Sequence, residues 1–223
     1  MNTRKRFLIA STLLLLFLIF TAAITRIDRQ AIGPRGSSVG FASVNQVVHD
    51  GFGISMLLYE ITDWLGIVAL VIALGFAVLG LAQWIKRKHI LRVDHSILTL
   101  GIFYILVIFA YLFFEYNVIN FRPVLIDGFL ESSYPSSTTL LILCIVPTAM
   151  MQFHRLIHHK VIRVAINGIA GGFAAFMVIG RLVSGVHWMT DILGSVLLSS
   201  ALVLLYDAVN RRIDPKWVRR IEE

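Results

Sequence analysis

The chain alternates between long apolar runs and short polar connections, on a scale far coarser than the 2- and 3.6-residue periods that build soluble folds. Five runs stand out, at 7–25, 66–84, 97–114, 164–183 and 191–206, each flanked by charged or turn-forming residues. A helix of about 20 apolar residues crosses the hydrocarbon core of a bilayer, so each run is long enough to be a membrane helix. A sixth run, 138–153, is shorter and contains Pro147. Membrane helices tolerate an internal proline because neighbouring groups re-satisfy the freed carbonyl. The run at 7–25 follows Arg4, Lys5 and Arg6 and has a second reading as a secretory signal. It is longer than the apolar stretch of about 7–15 residues in such signals, and no cleavage pattern follows it, which favours a retained helix.

Composition agrees with this pattern. Hydrophobic residues make up 57% of the 223 positions and charged residues only 15%. Mean hydropathy is +0.81. Soluble domains carry about a quarter charged residues, so the excess of apolar positions belongs to a lipid-facing surface. The expected fold is all-α: a polytopic membrane protein of six transmembrane helices forming one membrane domain over residues 1–223. No internal repeat or separating linker is visible. The longest connection, 26–65, opens with turn-rich "IGPRGSS" and continues as a mixed apolar and polar stretch. It predicts an external loop and an interfacial helix, serving as a structural cap or as a gate beside a lipid-accessible site.

Charge adds sidedness. The formal net charge is +7, and fifteen of the 20 Lys and Arg residues fall in alternate connections and at both ends, against five elsewhere. By the positive-inside rule both termini are cytoplasmic. The basic balance then reflects topology and anionic lipid at the inner leaflet. A nucleic-acid partner is excluded, because no basic face carries readout residues.

Three local features read as structural. Cys144 stands alone inside an apolar run, so it forms no intramolecular disulfide. The glycines of "NGIAGGFAA" (167–175) lie within a membrane run and predict close helix packing rather than a phosphate-binding loop. His154, His158 and His159 have a spacing that could hold a metal, but no carboxylate or cysteine accompanies them. They read as a solvated loop, and neither a metal nor a cofactor is expected.

The ionisable residues at the other ends of the helices are different. Glu115, Arg122 and Asp127 follow the third run, "SSYPSSTT" opens the fourth helix with Ser136, Ser137 and Thr138, and Arg181, His187 and Asp191 flank the last connection. The topology places all three groups on the outward, extracellular or periplasmic face of a cell membrane. Ionisable groups at membrane depth are costly and are usually functional. Arg122 and Arg181 suit bidentate contact with phosphate or carboxylate, and a serine-rich helix start adds N–H groups and a favourable dipole. His187 and Asp191, four residues apart, share one helix face, so Asp191 could orient one imidazole nitrogen while the other faces substrate. A structural ion-pair network is the competing account of the same three residues.

These residues resemble the type 2 phosphatidic acid phosphatases, membrane relatives of the vanadium haloperoxidases, whose signature reads K-x6-RP, PSGH and SR-x5-H-x3-D. The third part is present as "GRLVSGVHWMTD", with Gly180 for serine and with Arg181, His187 and Asp191 at the family spacing. The first keeps Arg122 and Pro123, and the second keeps Pro135 and Ser136. The resemblance covers about 66–206. It implies a phosphatase in which His187 attacks phosphorus to give a phosphohistidine and Asp191 orients it. Arg122 and Arg181 would bind phosphate, with Ser136 and Ser137 assisting. Two positions depart from the family: Glu115 stands where the lysine belongs, and Thr138 where the histidine acting as general acid belongs. A lipid diphosphate, whose leaving group is a weak base, would need no such acid; alternatively Glu115 would supply the proton. A third account is a protein that binds or transports a lipid phosphate without cleaving it, and a weaker one is a structural subunit of an envelope complex.

Overall fold

A computed structural model describes residues 1–157, 159–214 and 217. Its helices are α1 (Thr3–Ile24), α2 (Ala42–Phe52), α3 (Met56–Arg87), α4 (His95–Tyr116), α5 (Ser137–Leu156), α6 (Lys160–Val183) and α7 (Met189–Ile213). Short 3-10 turns at Pro34–Gly36 and Ile90–Arg92 and three isolated bridges complete the regular structure of the described residues. Six helices, all but α2, are long and apolar enough to cross a membrane. The run at 7–25 is one of them. As α1 it packs along α7 more extensively than any other pair of helices meet. It forms a helix of the bundle, as the count of six spans expects.

The segment 26–65 divides differently from the expectation. The interfacial helix ends at Phe52, where Gly53 adopts φ +68. Ser55 then caps a new helix by accepting from the Leu58 N–H at 3.4 Å. Residues 56–65 are therefore the first turns of α3, not part of the external connection. They were hard to assign because Tyr59, Glu60 and Asp63 interrupt the apolar pattern there. At 1.5 Å per residue, the 32 residues of α3 extend about 48 Å. That exceeds a hydrocarbon core of about 30 Å, so the first turns of α3 stand beside the polar connections.

One end of the bundle gathers the connections 25–55, 117–136 and 184–188. The other end gathers most of the basic residues, with His159 and Arg163 beside α6; His158, Lys216, Arg219 and Arg220 lie outside the described residues. Between the two ends, Phe17, Leu100, Leu140 and Leu198 belong to a continuous apolar core. Cys144 is buried in it as a free thiol, as its setting in an apolar run predicts. Helix α6 lies on the rim, and a Cβ added at Gly168, Gly171 or Gly172 would meet nothing within 4 Å, so these glycines are not needed for a close helix contact among the described residues. At the basic end, buried Asp207 accepts from Arg6 Nη1, from Arg211 Nε (3.1 Å) and from Trp217 Nε1 (2.8 Å). This one carboxylate ties α1 to α7 and to the residue that follows α7.

Two predictions follow from this packing. Gly185 has φ +67, and a Cβ there would lie 1.9 Å from the Gly53 carbonyl oxygen. Gly185→Ala adds a clash to a left-handed backbone and should lower stability by about 2 kcal/mol or more, read as a fall in Tm in detergent. Asp207→Ala removes the buried acceptor that Arg6 and Trp217 Nε1 share and should cost about 2–3 kcal/mol in the same assay.

Candidate phosphate site

The site forms where three connections and one long helix meet. The chain from α4 to α5 runs out and back as a narrow loop, with Phe121 paired to Ser132 and the Arg122 N–H donating to the Glu131 carbonyl at 3.0 Å. This loop brings Arg122 inward. The last turn of α6 supplies Arg181, and the turn before α7 supplies His187. Asp191 sits in the first turn of α7, where its Oδ2 accepts from the Trp188 N–H at 2.9 Å. That bond satisfies one of the free N–H groups at a helix start and fixes the carboxylate. Trp188 is itself held by Nε1 donating to the Phe121 carbonyl at 2.7 Å. Asn45 of α2 buttresses the same turn, accepting from the Thr190 N–H at 3.2 Å.

Arg122, Arg181, His187 and Asp191, separated in sequence, are brought together and buried. Arg122 Nη1 lies 3.3 Å from His187 Nε2. A guanidinium only donates, so this contact assigns the imidazole lone pair to Nε2 and its hydrogen to Nδ1. Nδ1 lies 3.6 Å from Asp191 Oδ2, just beyond hydrogen-bond range. His187 Nδ1 and Asp191 Oδ1 make no well-formed hydrogen bond, although the Ser133 backbone lies close to the imidazole and Ser133 and Asn120 lie close to the carboxylate. The pair is close but open, as catalytic contacts often are before substrate arrives. Burial pushes the His187 pKa well below imidazole's ordinary value, Arg122 and Arg181 push it the same way, and the Ser133 backbone opposes them. His187 is thus held neutral, with its lone pair on the nitrogen that faces the arginines.

Arg181, 1% exposed, donates through Nη2 to Asp63 Oδ1 at 2.9 Å and to Thr138 Oγ1, and through Nη1 to the Tyr59 carbonyl at 3.4 Å. Glu131 Oε2 lies 3.1 Å from Arg122 Nε, within ion-pair range but out of line for a hydrogen bond. The Nε groups of both arginines are buried without hydrogen-bond partners. Arg122 Nε already faces a carboxylate, but Arg181 Nε suits an anion, because a buried N–H left unpaired costs free energy until something accepts from it.

The remaining expected residues divide. Ser137 and Glu115 line a cleft that reaches His187 and has an internal volume of about 10 Å3, the room of one water. Glu115 Oε2 accepts from Ser132 Oγ at 2.7 Å, so its carboxylate lies at this cleft without contacting an arginine. Ser136 is turned inward: its hydroxyl donates to Thr139 at 3.0 Å and its N–H to the Asp191 carbonyl at 3.2 Å. It braces α5 against α7. Thr138 accepts from Arg181, so the position expected to carry an acid holds an arginine in place instead. Asp127 lies at the tip of the narrow loop, away from the arginines, with φ +48.

The motif match extends beyond spacing. The family model of the PAP2 superfamily matches residues 94–214. The chain belongs to the PAP2 superfamily. Among curated protein sequences nothing matches this PAP2 chain. Among solved structures, the crystal structure of a transmembrane PAP2-type phosphatidylglycerolphosphate phosphatase from Bacillus subtilis is similar to it. The TM-score is 0.60 at 20% identity, over 92% of this chain and 97% of that one. At that identity the likeness concerns the fold. Within the PAP2 match lie Glu115, Arg122, Thr138, Arg181, His187 and Asp191; Tyr59 and Asp63 fall before it.

Burying His187 neutral has a sign that can be checked. Its pKa is depressed in the folded state, so the unfolded chain binds the extra proton first and stability falls as pH drops below about 6.5. In His187→Gln the part of this acid sensitivity due to His187 disappears, which thermal unfolding of both proteins between pH 5 and 8 will read as a shallower Tm profile.

Proposed function

We propose that the protein is a membrane phosphohydrolase acting on a lipid phosphate or polyprenyl diphosphate, with His187 as nucleophile. The observation that carries this reading is the contact of Arg122 Nη1 with His187 Nε2, with Asp191 Oδ2 3.6 Å from the other ring nitrogen. Phosphoryl oxygens held by Arg122 and Arg181 would displace the first guanidinium from Nε2 and bring phosphorus to that lone pair. Nε2 then bonds to phosphorus while the bond to the leaving oxygen breaks, the electron pair departing with that oxygen. The Nδ1–H closes on Asp191, which stabilises the positive charge on the ring. Water attacks the phosphohistidine next, the P–N bond returns its electrons to Nε2, and inorganic phosphate leaves.

The leaving group decides the substrate class. An alkoxide, as from phosphatidic acid, needs a proton, and Thr138 cannot act as an acid near neutral pH. A phosphomonoester leaving from a lipid diphosphate is a far weaker base. The reading therefore favours polyprenyl diphosphate over phosphatidic acid. Ser137 and the N–H groups at the start of α5 would face the phosphoryl oxygens. The charge distribution supports both termini in the cytoplasm and the site at the outer face of a cell membrane.

Purified protein in detergent is offered polyprenyl diphosphate and phosphatidic acid, and phosphate release is measured. Release from the diphosphate is expected to be faster, and His187→Ala should lower it by about three orders of magnitude or more. Unchanged release in His187→Ala removes the nucleophile assignment. Binding without release in the wild type favours instead a carrier of lipid phosphates on the same scaffold. Thr138→His with Glu115→Lys should raise the rate on phosphatidic acid more than on the diphosphate.

A further inference from the structure

The first turns of α3 lie outside the matched motifs, yet they touch both arginines. The Arg181 guanidinium carbon sits 4.8 Å from the centroid of the Tyr59 ring, and that of Arg122 sits 5.6 Å from it. One aromatic ring therefore lies within cation–π range of both guanidinium groups and gives each a favourable surface to rest on. One helical turn on, Asp63 forms the ion pair with Arg181. Its side chain is 55% exposed, against 1% for the arginine. Asp63 and Thr138 are also the polar end of a groove of about 220 Å3 between α3 and α5, whose other walls are Gly66, Ile67, Leu70 and Leu141.

The geometry of Arg181 makes Asp63 an obstacle. A phosphate takes a guanidinium best through two adjacent N–H groups. Both paired-donor edges of the guanidinium include Nη2, whose two N–H groups already serve Asp63 and Thr138; Nη1 gives one N–H to the Tyr59 carbonyl, and Nε has no hydrogen-bond partner. A two-pronged contact has to free a donor, and the partner most easily released is the half-exposed carboxylate, which water can re-solvate.

We infer that Tyr59 and Asp63 are determinants of phosphate affinity: Tyr59 positions the two guanidinium groups, and Asp63 occupies Arg181 until a phosphoryl group displaces it. This rests on the phosphohydrolase reading and adds a competition at its centre. Asp63 keeps Arg181 neutralised in the empty site and weakens every phosphate ligand by the strength of one ion pair. It is a positioning residue and takes no part in bond breaking.

The test compares KM and kcat for phosphate release from polyprenyl diphosphate with the inhibition constant of orthophosphate. Asp63→Asn keeps a hydrogen-bond acceptor and removes the charge. An ion pair with one exposed partner is worth a factor of about 3–5, so KM and the inhibition constant should both fall by about that much with kcat little changed. Asp50 is an exposed carboxylate of α2 that pairs with neither arginine, and Asp50→Asn should shift both constants less than twofold. Tyr59→Leu should raise KM about tenfold, and Tyr59→Phe, which keeps the ring, far less. A loss of kcat in Asp63→Asn with KM unchanged overturns the inference, as does an equal fall in Asp50→Asn or an equal effect of the two Tyr59 variants. If wild type releases no phosphate from any lipid, the phosphohydrolase reading fails. The inference is then decided by calorimetric binding of orthophosphate, which Asp63→Asn must tighten about 3–5-fold.

Discussion

The constraint on which this structure turns is the burial of two guanidinium groups against one tyrosine ring at the edge of a membrane. Such groups do not lose their charge, so the fold has to supply partners or leave the cost standing. The partners come from far apart in the chain. Glu131 arrives on the narrow loop before α5, Asp63 and Tyr59 on α3, Thr138 on α5 and His187 from the turn before α7. Several supporting features serve this arrangement. The break at Gly53 lets α3 begin beside the arginines, the left-handed Gly185 lets the last turn pass under that break, and Asn45 and Trp188 brace the same turn.

The compensation is incomplete, and the shortfall is informative. Arg181 Nε, His187 Nδ1 and Asp191 Oδ1 make no well-formed hydrogen bond, and Arg122 Nε meets Glu131 only out of line. A purely structural network would tend to close on itself, because each orphaned buried polar atom costs of order 1–3 kcal/mol. Arg155 at the basic end also keeps unpartnered donors, so orphaned atoms do not by themselves mark a site. What distinguishes this end is the combination of two arginines with a neutral imidazole, a set complementary to a tetrahedral oxyanion.

Much of this was legible in the sequence, for reasons that differ by residue. The six spans announced themselves because lipid demands unbroken apolar runs, and the helix bounds extend those runs by only a few residues except at the start of α3 and the end of α7. In α3, Tyr59, Glu60 and Asp63 made a membrane helix look like an interfacial one. Arg122, Arg181, His187 and Asp191 were legible through spacing and resemblance. The inward turn of Ser136 was not, since its choice between Thr139 and a ligand depends on how α5 meets α7. Nor were Asp63 and Glu131, whose roles exist only through contacts with residues far along the chain. The open face of the α6 glycines was equally hidden, because composition shows that close packing is possible but not which helix, if any, provides it.

The pairing of α1 with α7 bears on how the molecule is assembled. Arg6 and Asp207, which meet at the basic end, are 201 residues apart. A helix inserted early in synthesis must therefore remain in the bilayer without its main partner until the last span has followed the other four. During that interval it relies on lipid alone, and its even, all-round apolar surface is suited to waiting. The arginines at the opposite end share the same delay, because His187 and Asp191 arrive with α7. The site comes into being in the same event that completes the bundle, so a chain stalled before α7 would hold two buried cations and no imidazole to receive them.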